Sequence, residues 1–257
     1  ELPLLFGRYH RIFLFSAIVF ILFVSIGVYS SKTNPDFIRS ILGEQYVEMT
    51  EGNIAKGDPF GVYKDENPFN MFVRIAFNNI RVAFLTFLGG LSLGVVTFRL
   101  LWSNGIMLGC FQYMFFSHGL GLQSILVVWI HGVIEISSIV IAATAGFILA
   151  NGILFPGTFP RIESFRRNAR NAAKVMIALV PFFIAAAFLE SYVTHLMSQT
   201  FDEHNNGGIP VWVSVVILAS SILLITWYFI IWPIKLKKKG TLINNNGIVK
   251  KALGTHA

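Results

Sequence analysis

The chain has 257 residues, of which 54% are hydrophobic and 13% are charged, and its mean hydropathy is +0.66. This composition excludes an ordinary soluble domain and is typical of a protein that crosses a membrane several times. The net charge of +7 comes from basic residues beside apolar stretches, where they orient spans and meet anionic lipid, so we expect no nucleic-acid binding. The single cysteine, Cys110, excludes a disulfide framework and a cysteine-based zinc site within the chain.

Six apolar runs predict an all-α, polytopic bundle of six membrane-spanning helices. The runs are 12–29, 72–101, 106–116, 124–156, 175–197 and 211–233. The third run is too short to cross a hydrocarbon core of about 30 Å, so we expect it to extend to residue 121, to tilt, or to re-enter.

The basic residues of the connections predict that both termini are cytoplasmic. With six crossings, the Lys and Arg residues before the first span, in the connection 161–174 and in 235–239 fall on one side. The acid-rich segment between the first two spans falls on the other side. We therefore expect one transmembrane domain at 1–234, with an extracytoplasmic loop at 30–71, and a basic cytoplasmic tail at 235–257.

The long first loop contains a pattern of its own. Apolar residues recur at near-helical spacing over 35–51, with Asn34 or Asp36 as a possible cap and Gly52 as a stop, which predicts an amphipathic helix. It could lie on the outer leaflet, bind a partner or cover the mouth of the bundle. We favour a packed lid.

A polar group opens the second span. Arg74, Asn78, Asn79 and Arg81 lie within two helical turns and could hold a carboxylate such as Glu135, or a lipid phosphate. Snorkelling to the membrane surface is the simpler interpretation, and it suits Arg74 better than Arg81.

Small residues indicate close helix packing and one turn. Asn104-Gly105 is typical of a tight turn between the second and third spans. Two sets of small residues predict faces where helices pack backbone to backbone, within the chain or between copies. They are Gly89, Gly90 and Gly94 in the second span, and Ala142, Ala143, Ala145, Gly146 and Ala150 in the fourth.

The most informative pair is His131 and Glu135, which helical spacing places on one face of an apolar span. Ionisable side chains at membrane depth are costly, so the pair predicts a functional or structural site with a partner inside the protein. Glu190 and His195 in the fifth span are the nearest candidates. The set could be structural glue, a proton or ion relay, or a metal-ligand set, and Gly132 would allow the close helix approach that each requires.

The connection 161–174 resembles an interfacial basic helix. Apolar anchors accompany basic residues at about one-turn spacing, a pattern that could dock anionic lipid or a soluble partner. The basic residues of this predicted cytoplasmic surface are Arg161, Arg166, Arg167, Arg170 and Lys174.

These groups, in this order, resemble the stage II sporulation protein M family of polytopic membrane proteins. The matching pieces run through most of the chain, from about residue 72 to residue 232. They are Asn78-Asn79, Asn104-Gly105 with Gly109, His131-Gly132 with Glu135, the small residues up to Gly146, Arg170, and Glu190 after Pro181. In sporulating bacteria the resemblance implies a membrane anchor that localises a peptidoglycan-degrading complex.

We therefore expect a scaffold in the bacterial cytoplasmic membrane that positions an envelope-remodelling complex. Enzymatic activity stays open, and we favour a non-enzymatic protein with no cofactor and no bound metal. The expected partners are the bilayer with its anionic lipid, other membrane or envelope proteins, and a second copy of the chain. One alternative is a proton-coupled transporter or flippase that uses the His and Glu residues, and another is an intramembrane metal-dependent hydrolase.

Overall fold

The computed structural model describes residues 1–63, 67–204, 207–239, 241–244 and 247–250, with the side chains of Tyr63 and 241–250 omitted. The α-helices are α1 (Leu2–Arg8), α2 (His10–Thr33), α3 (Pro35–Leu42), α4 (Glu44–Ala55), α5 (Pro68–Leu88), α6 (Val95–Ser117), α7 (Gly121–Leu154), α8 (Arg161–Phe188), α9 (His195–Thr200), α10 (Val211–Thr226) and α11 (Trp232–Lys238). The 3₁₀ turns are Gly61–Tyr63 and Gly89–Ser92, and the π-helical turns are Leu189–Thr194 and Trp227–Ile231. A short antiparallel hairpin follows, formed by β1 (Thr241–Asn244) and β2 (Gly247–Lys250).

The predicted all-α polytopic bundle is confirmed. Five segments of the described chain are long and apolar enough to cross a membrane, and each contains one long helix. These segments are His10–Thr33, Pro68–Ser92, Gly121–Leu154, Arg161–Thr200 and Val211–Lys238. Helix α6 is not among these segments, but its 23 residues extend about 34 Å, and it packs between α2 and α7. With α6, six helical segments of the described chain have the length of a membrane span.

The turn between α5 and α6 lies at Gly89–Gly94, so the prediction of a turn at Asn104-Gly105 is wrong. Leu93 (φ 58°) and Gly94 (φ 89°) adopt left-handed conformations that reverse the chain. Asn104 lies within α6, where its amide donates to the Leu100 carbonyl at 2.8 Å. The third run is thus the second half of a full-length helix.

Helix α7 is the centre of the bundle and contacts α2, α5, α6, α8 and α10. Its predicted small-residue face, from Ala142 to Ala150, is buried inside the chain, so this packing is intramolecular. The approach to the 3₁₀ turn after α5 is especially close, since a Cβ on Gly90 would lie 2.1 Å from the Gly146 carbonyl oxygen. A similar contact joins α2 to α6, where a Cβ on Gly109 would lie 2.3 Å from the Val24 carbonyl oxygen.

One end of the bundle, here called the basic end, holds α1 and α11 packed against each other. An ion pair between Lys174 and Glu1 ties the start of the chain to α8. The Tyr9 hydroxyl donates to Asn168 at 3.1 Å, which adds a second tie to the same helix. The predicted tail at 235–257 begins within α11, and its last residues, 251–257, lie outside the described part.

The opposite end, here called the lid end, is covered by α3 and α4. Gly43 (φ 89°) splits the predicted single helix into these two, and Gly52 lies inside α4 rather than stopping it. The predicted cap is confirmed, because the Asn34 side chain accepts from the Asp36 amide at 3.0 Å. Val47 is buried and Phe60 stacks on Phe115 with ring centroids 5.2 Å apart, so the segment is the packed lid that the sequence favours.

The glycine contacts generate a stability prediction with an internal control. We expect Gly109→Ala and Gly146→Ala each to destabilise the protein by about 1–3 kcal/mol, because a methyl group would collide with backbone or with Thr97. Gly132→Ala should be neutral, since a Cβ there would meet only Ile136 at 4.0 Å. Thermal unfolding in detergent measures the difference, and equal melting temperatures for all three variants would contradict this packing.

The six-helix path also predicts which residues are reached from each side of the membrane. Glu48 in the lid and Arg166 near the start of α8 are both exposed, whereas the native Cys110 is buried. A membrane-impermeant thiol reagent added to intact cells should label Glu48→Cys but not Arg166→Cys. Labelling of Arg166→Cys would mean that α6 does not cross.

Candidate functional site

His131, Glu135 and Glu190 meet inside the bundle and are here called the polar cluster. One nitrogen of His131 and one oxygen of each carboxylate all lie within 4.8 Å of one another. His131 and Glu135 are one turn apart on α7, and Glu190 lies on the π-helical turn that follows α8. His131 is 4% exposed, and the two glutamates are half-buried. The predicted meeting of spans four and five is therefore present.

The polar cluster has further partners on two helical segments. The Nδ1 atom of His131 lies 3.0 Å from the Thr194 hydroxyl, and its Nε2 atom lies 3.8 Å from Glu190. Asn79 of α5 contacts Glu135, although its amide nitrogen is buried without a hydrogen bond of normal geometry. Three helical segments thus converge on one group of polar side chains.

Two further side chains act on the polar cluster from the lid end. Arg74, exposed on α5, interacts electrostatically with Glu190. Tyr46 of the lid also faces Glu190, and burial raises the pKa of its hydroxyl to about 12, so Tyr46 stays neutral. Sequence analysis did not identify Tyr46 and Thr194, because neither has a helical spacing relation to His131. Tyr46 also lies in α4, within the stretch that the sequence assigns to an extracytoplasmic loop.

The other predicted members lie apart from the polar cluster. His195 is outside the group of convergent ligand atoms, and its Nε2 lies 3.3 Å from the Gln199 amide nitrogen. Asn78 and Arg81 are exposed on α5, because a helix that turns Asn79 inward turns these positions outward. Gly132 is buried but has open space around it, so it does not serve the close approach that we predicted.

The outward positions form a polar stripe along α5, consisting of Arg74, Asn78 and Arg81 at one-turn spacing. Phe77, between them, is 71% exposed. Arg81 lies about 10 Å before the end of α5, well inside a bilayer. Helical side chains tilt toward the N-terminus of their helix, so the Arg81 side chain leans away from the nearer membrane surface.

The predicted interfacial helix is the first part of α8, continuous with the membrane span. Arg167 pairs with Glu163 at 2.6 Å, and Lys174 pairs with Glu1. The exposed members of the predicted basic surface are Arg161, Arg166 and Arg170.

A groove of about 620 Å³ lies between α6, α7 and α10, separate from the polar cluster. Its lining is mainly apolar, with Gln112, Ser137 and Thr226 as polar members. The Gln112 side-chain oxygen accepts from the Trp129 indole at 2.8 Å. The Gln112 amide nitrogen also donates to the Ser124 hydroxyl at 2.7 Å, so the oxygen and the nitrogen of this amide are both hydrogen-bonded within the protein.

A comparison with known protein families finds a match that covers most of the chain. Residues 16–195 match the family model described as SpoIIM, Stage II sporulation protein M. The matched region contains the lid, the polar stripe, the basic start of α8 and all three residues of the polar cluster. No curated protein and no solved structure matches the chain.

The contact between His131 and Thr194 generates a test of the site. Thr194→Val keeps the side-chain volume but removes the hydroxyl that contacts the buried imidazole, so it should cost about 1–3 kcal/mol. Thr33→Val is the control, since Thr33 is exposed and bonds only within its own helix. Chemical or thermal unfolding measures the difference, and equal stability of the two variants would contradict the pairing.

Proposed function

Because the chain belongs to the stage II sporulation protein M family, we propose that it is a non-enzymatic scaffold that recruits an envelope-remodelling complex in the bacterial cytoplasmic membrane. One observation carries the proposal. The carboxylates and imidazole of the interior are held to one another across helices, whereas the polar stripe of α5 and the basic start of α8 face outward. Such a division suits a rigid body that binds partners on its surface.

The polar stripe is the proposed docking face for a membrane partner. A guanidinium in hydrocarbon needs an anion, and lipid phosphates lie at the membrane surface, away from the depth of Arg81. A carboxylate on a transmembrane helix of another protein can lie at that depth and can form two hydrogen bonds with the arginine guanidinium. Phe77 and Phe84, exposed beside the stripe, add apolar contact area.

The start of α8 is the proposed docking face on the other side. Arg161, Arg166 and Arg170 project from the basic end and favour anionic lipid or an acidic soluble partner. Association of two copies through the small-residue faces receives no support, because these faces are consumed by packing within the chain.

A proton-coupled transporter is the second candidate, and one observation favours it. Glu190 lies on a π-helical turn, an irregularity that is frequent at functional sites, and Pro181 lies inside α8, the helix that precedes this turn. Under this alternative Glu190→Gln, which cannot titrate, would abolish function in a stable protein. Under the scaffold proposal, loss of function should instead follow changes on the surface of α5.

In-cell photo-crosslinking tests the docking face. A photoreactive amino acid at Phe77 should give a discrete adduct with an envelope-remodelling protein, whereas the same probe at Leu223, 69% exposed on α10, should not. Arg81→Leu should remove the adduct without lowering the melting temperature. Arg99→Leu, an exposed arginine on α6, is the matched control and should keep it.

Three results would contradict this assignment. They are identical adducts at both positions, an adduct that survives Arg81→Leu, and an adduct with the mass of a lipid alone. The last would assign the polar stripe to lipid rather than to a protein.

A further inference from the structure

The polar cluster has the composition of a metal-ligand set. One imidazole nitrogen and two carboxylate oxygens converge within 4.8 Å, from two separate helical segments. Tetrahedral coordination at about 2.1 Å places ligand atoms about 3.4 Å apart, close to the 3.8 Å between His131 Nε2 and the Glu190 carboxylate. Small side-chain rotations would bring the three ligand atoms to bonding distance.

The orientation of His131 is the orientation of a metal ligand. Its Nε2 faces Glu190, while its Nδ1 lies against the Thr194 hydroxyl at 3.0 Å. Metal-binding histidines commonly bond a protein group through the other ring nitrogen, which fixes the tautomer and the ring plane. With Thr194 as acceptor of Nδ1–H, the lone pair of Nε2 lies on the side of the ring that faces the Glu190 carboxylate.

Asn79 is an independent sign that the polar cluster is incomplete. Its side chain is 8% exposed and contacts Glu135, yet its amide nitrogen makes no hydrogen bond of normal geometry among the described residues. The two amide atoms exchange places by a flip of the side chain, which would direct the carbonyl oxygen toward Glu135. That oxygen is a fourth ligand of the type that divalent ions accept.

A divalent cation would also suit the charge of the polar cluster when both carboxylates are ionised. Two ionised carboxylates would carry two negative charges into the bundle, and Arg74 supplies one positive charge beside Glu190. A divalent ion between the carboxylates would compensate them at the point where they meet.

From this geometry we propose that His131, Glu135 and Glu190 bind one divalent first-row transition-metal ion, with Asn79 as the fourth ligand. Zn²⁺ accepts both imidazole nitrogen and carboxylate oxygen in a compact four-coordinate set, so it is the ion that we assign. The ion is structural: it joins α7, α5 and the π-helical turn after α8. The proposal is independent of which partner the scaffold recruits.

The decisive measurement is metal binding by the purified full-length protein in detergent. After removal of metal with a chelator, Co²⁺ should bind at about one equivalent per chain and give visible absorption bands of a low-coordinate site. His131→Gln and Glu190→Gln should each weaken Co²⁺ binding more than about tenfold. His195→Gln, a histidine on the following helix outside the polar cluster, should bind as tightly as the unchanged protein.

X-ray absorption of the Zn²⁺-loaded unchanged protein decides the matter even if the variants fail to fold. We expect one imidazole nitrogen and two or three oxygens at about 2.0–2.2 Å from zinc. Binding below about one tenth of an equivalent, a spectrum without imidazole, or equal loss of Co²⁺ in the His195→Gln control would each overturn the proposal.

Discussion

Hydrocarbon offers no hydrogen bonds, and this constraint governs how the central helices are arranged. A carboxylate or imidazole at membrane depth needs a hydrogen-bonding partner within the protein. Without one, the free-energy cost of burying it destabilises the fold. Helix α7 carries two such groups, His131 and Glu135, so its neighbours must present partners at the same height. Glu190 and Asn79 do so from two different helical segments, which fixes the relative position of all three.

Close contact between helix backbones also fixes the positions of the helices. Apolar side chains gain nothing from leaving lipid for protein, so helices in a membrane associate where small residues permit dense packing. The bundle has two such seams, Gly90 with Gly146, and Gly109 with the backbone at Val24. Together with the polar cluster they hold α7 against its neighbours, and charged and aromatic side chains remain on the outside for binding.

The sequence predicts the helical class, the lid and the meeting of Glu190 with α7, because these follow from hydropathy, helical period and the cost of buried charge. It misplaces the turn after α5, because Asn104-Gly105 has turn composition while Gly89–Gly94 looks like a packing face; only the tertiary contacts distinguish them. It also places His195 in the cluster. A π-helical turn shifts the register of the helix by an amount that residue spacing does not reveal, so Glu190 joins the polar cluster and His195 does not.

The tight turn at Gly89–Gly94 bears on how the chain enters the membrane. Helix α5 carries Arg74 and Arg81, and α6 is not among the described segments that are apolar enough to cross a membrane by themselves, so neither is a strong insertion signal alone. Because the connection is so short, one helix cannot remain in water while the other inserts into the membrane. We expect the two to pass from the translocation channel into lipid together as a helical hairpin, whose biogenesis depends on α7 arriving soon afterwards to cover Asn79.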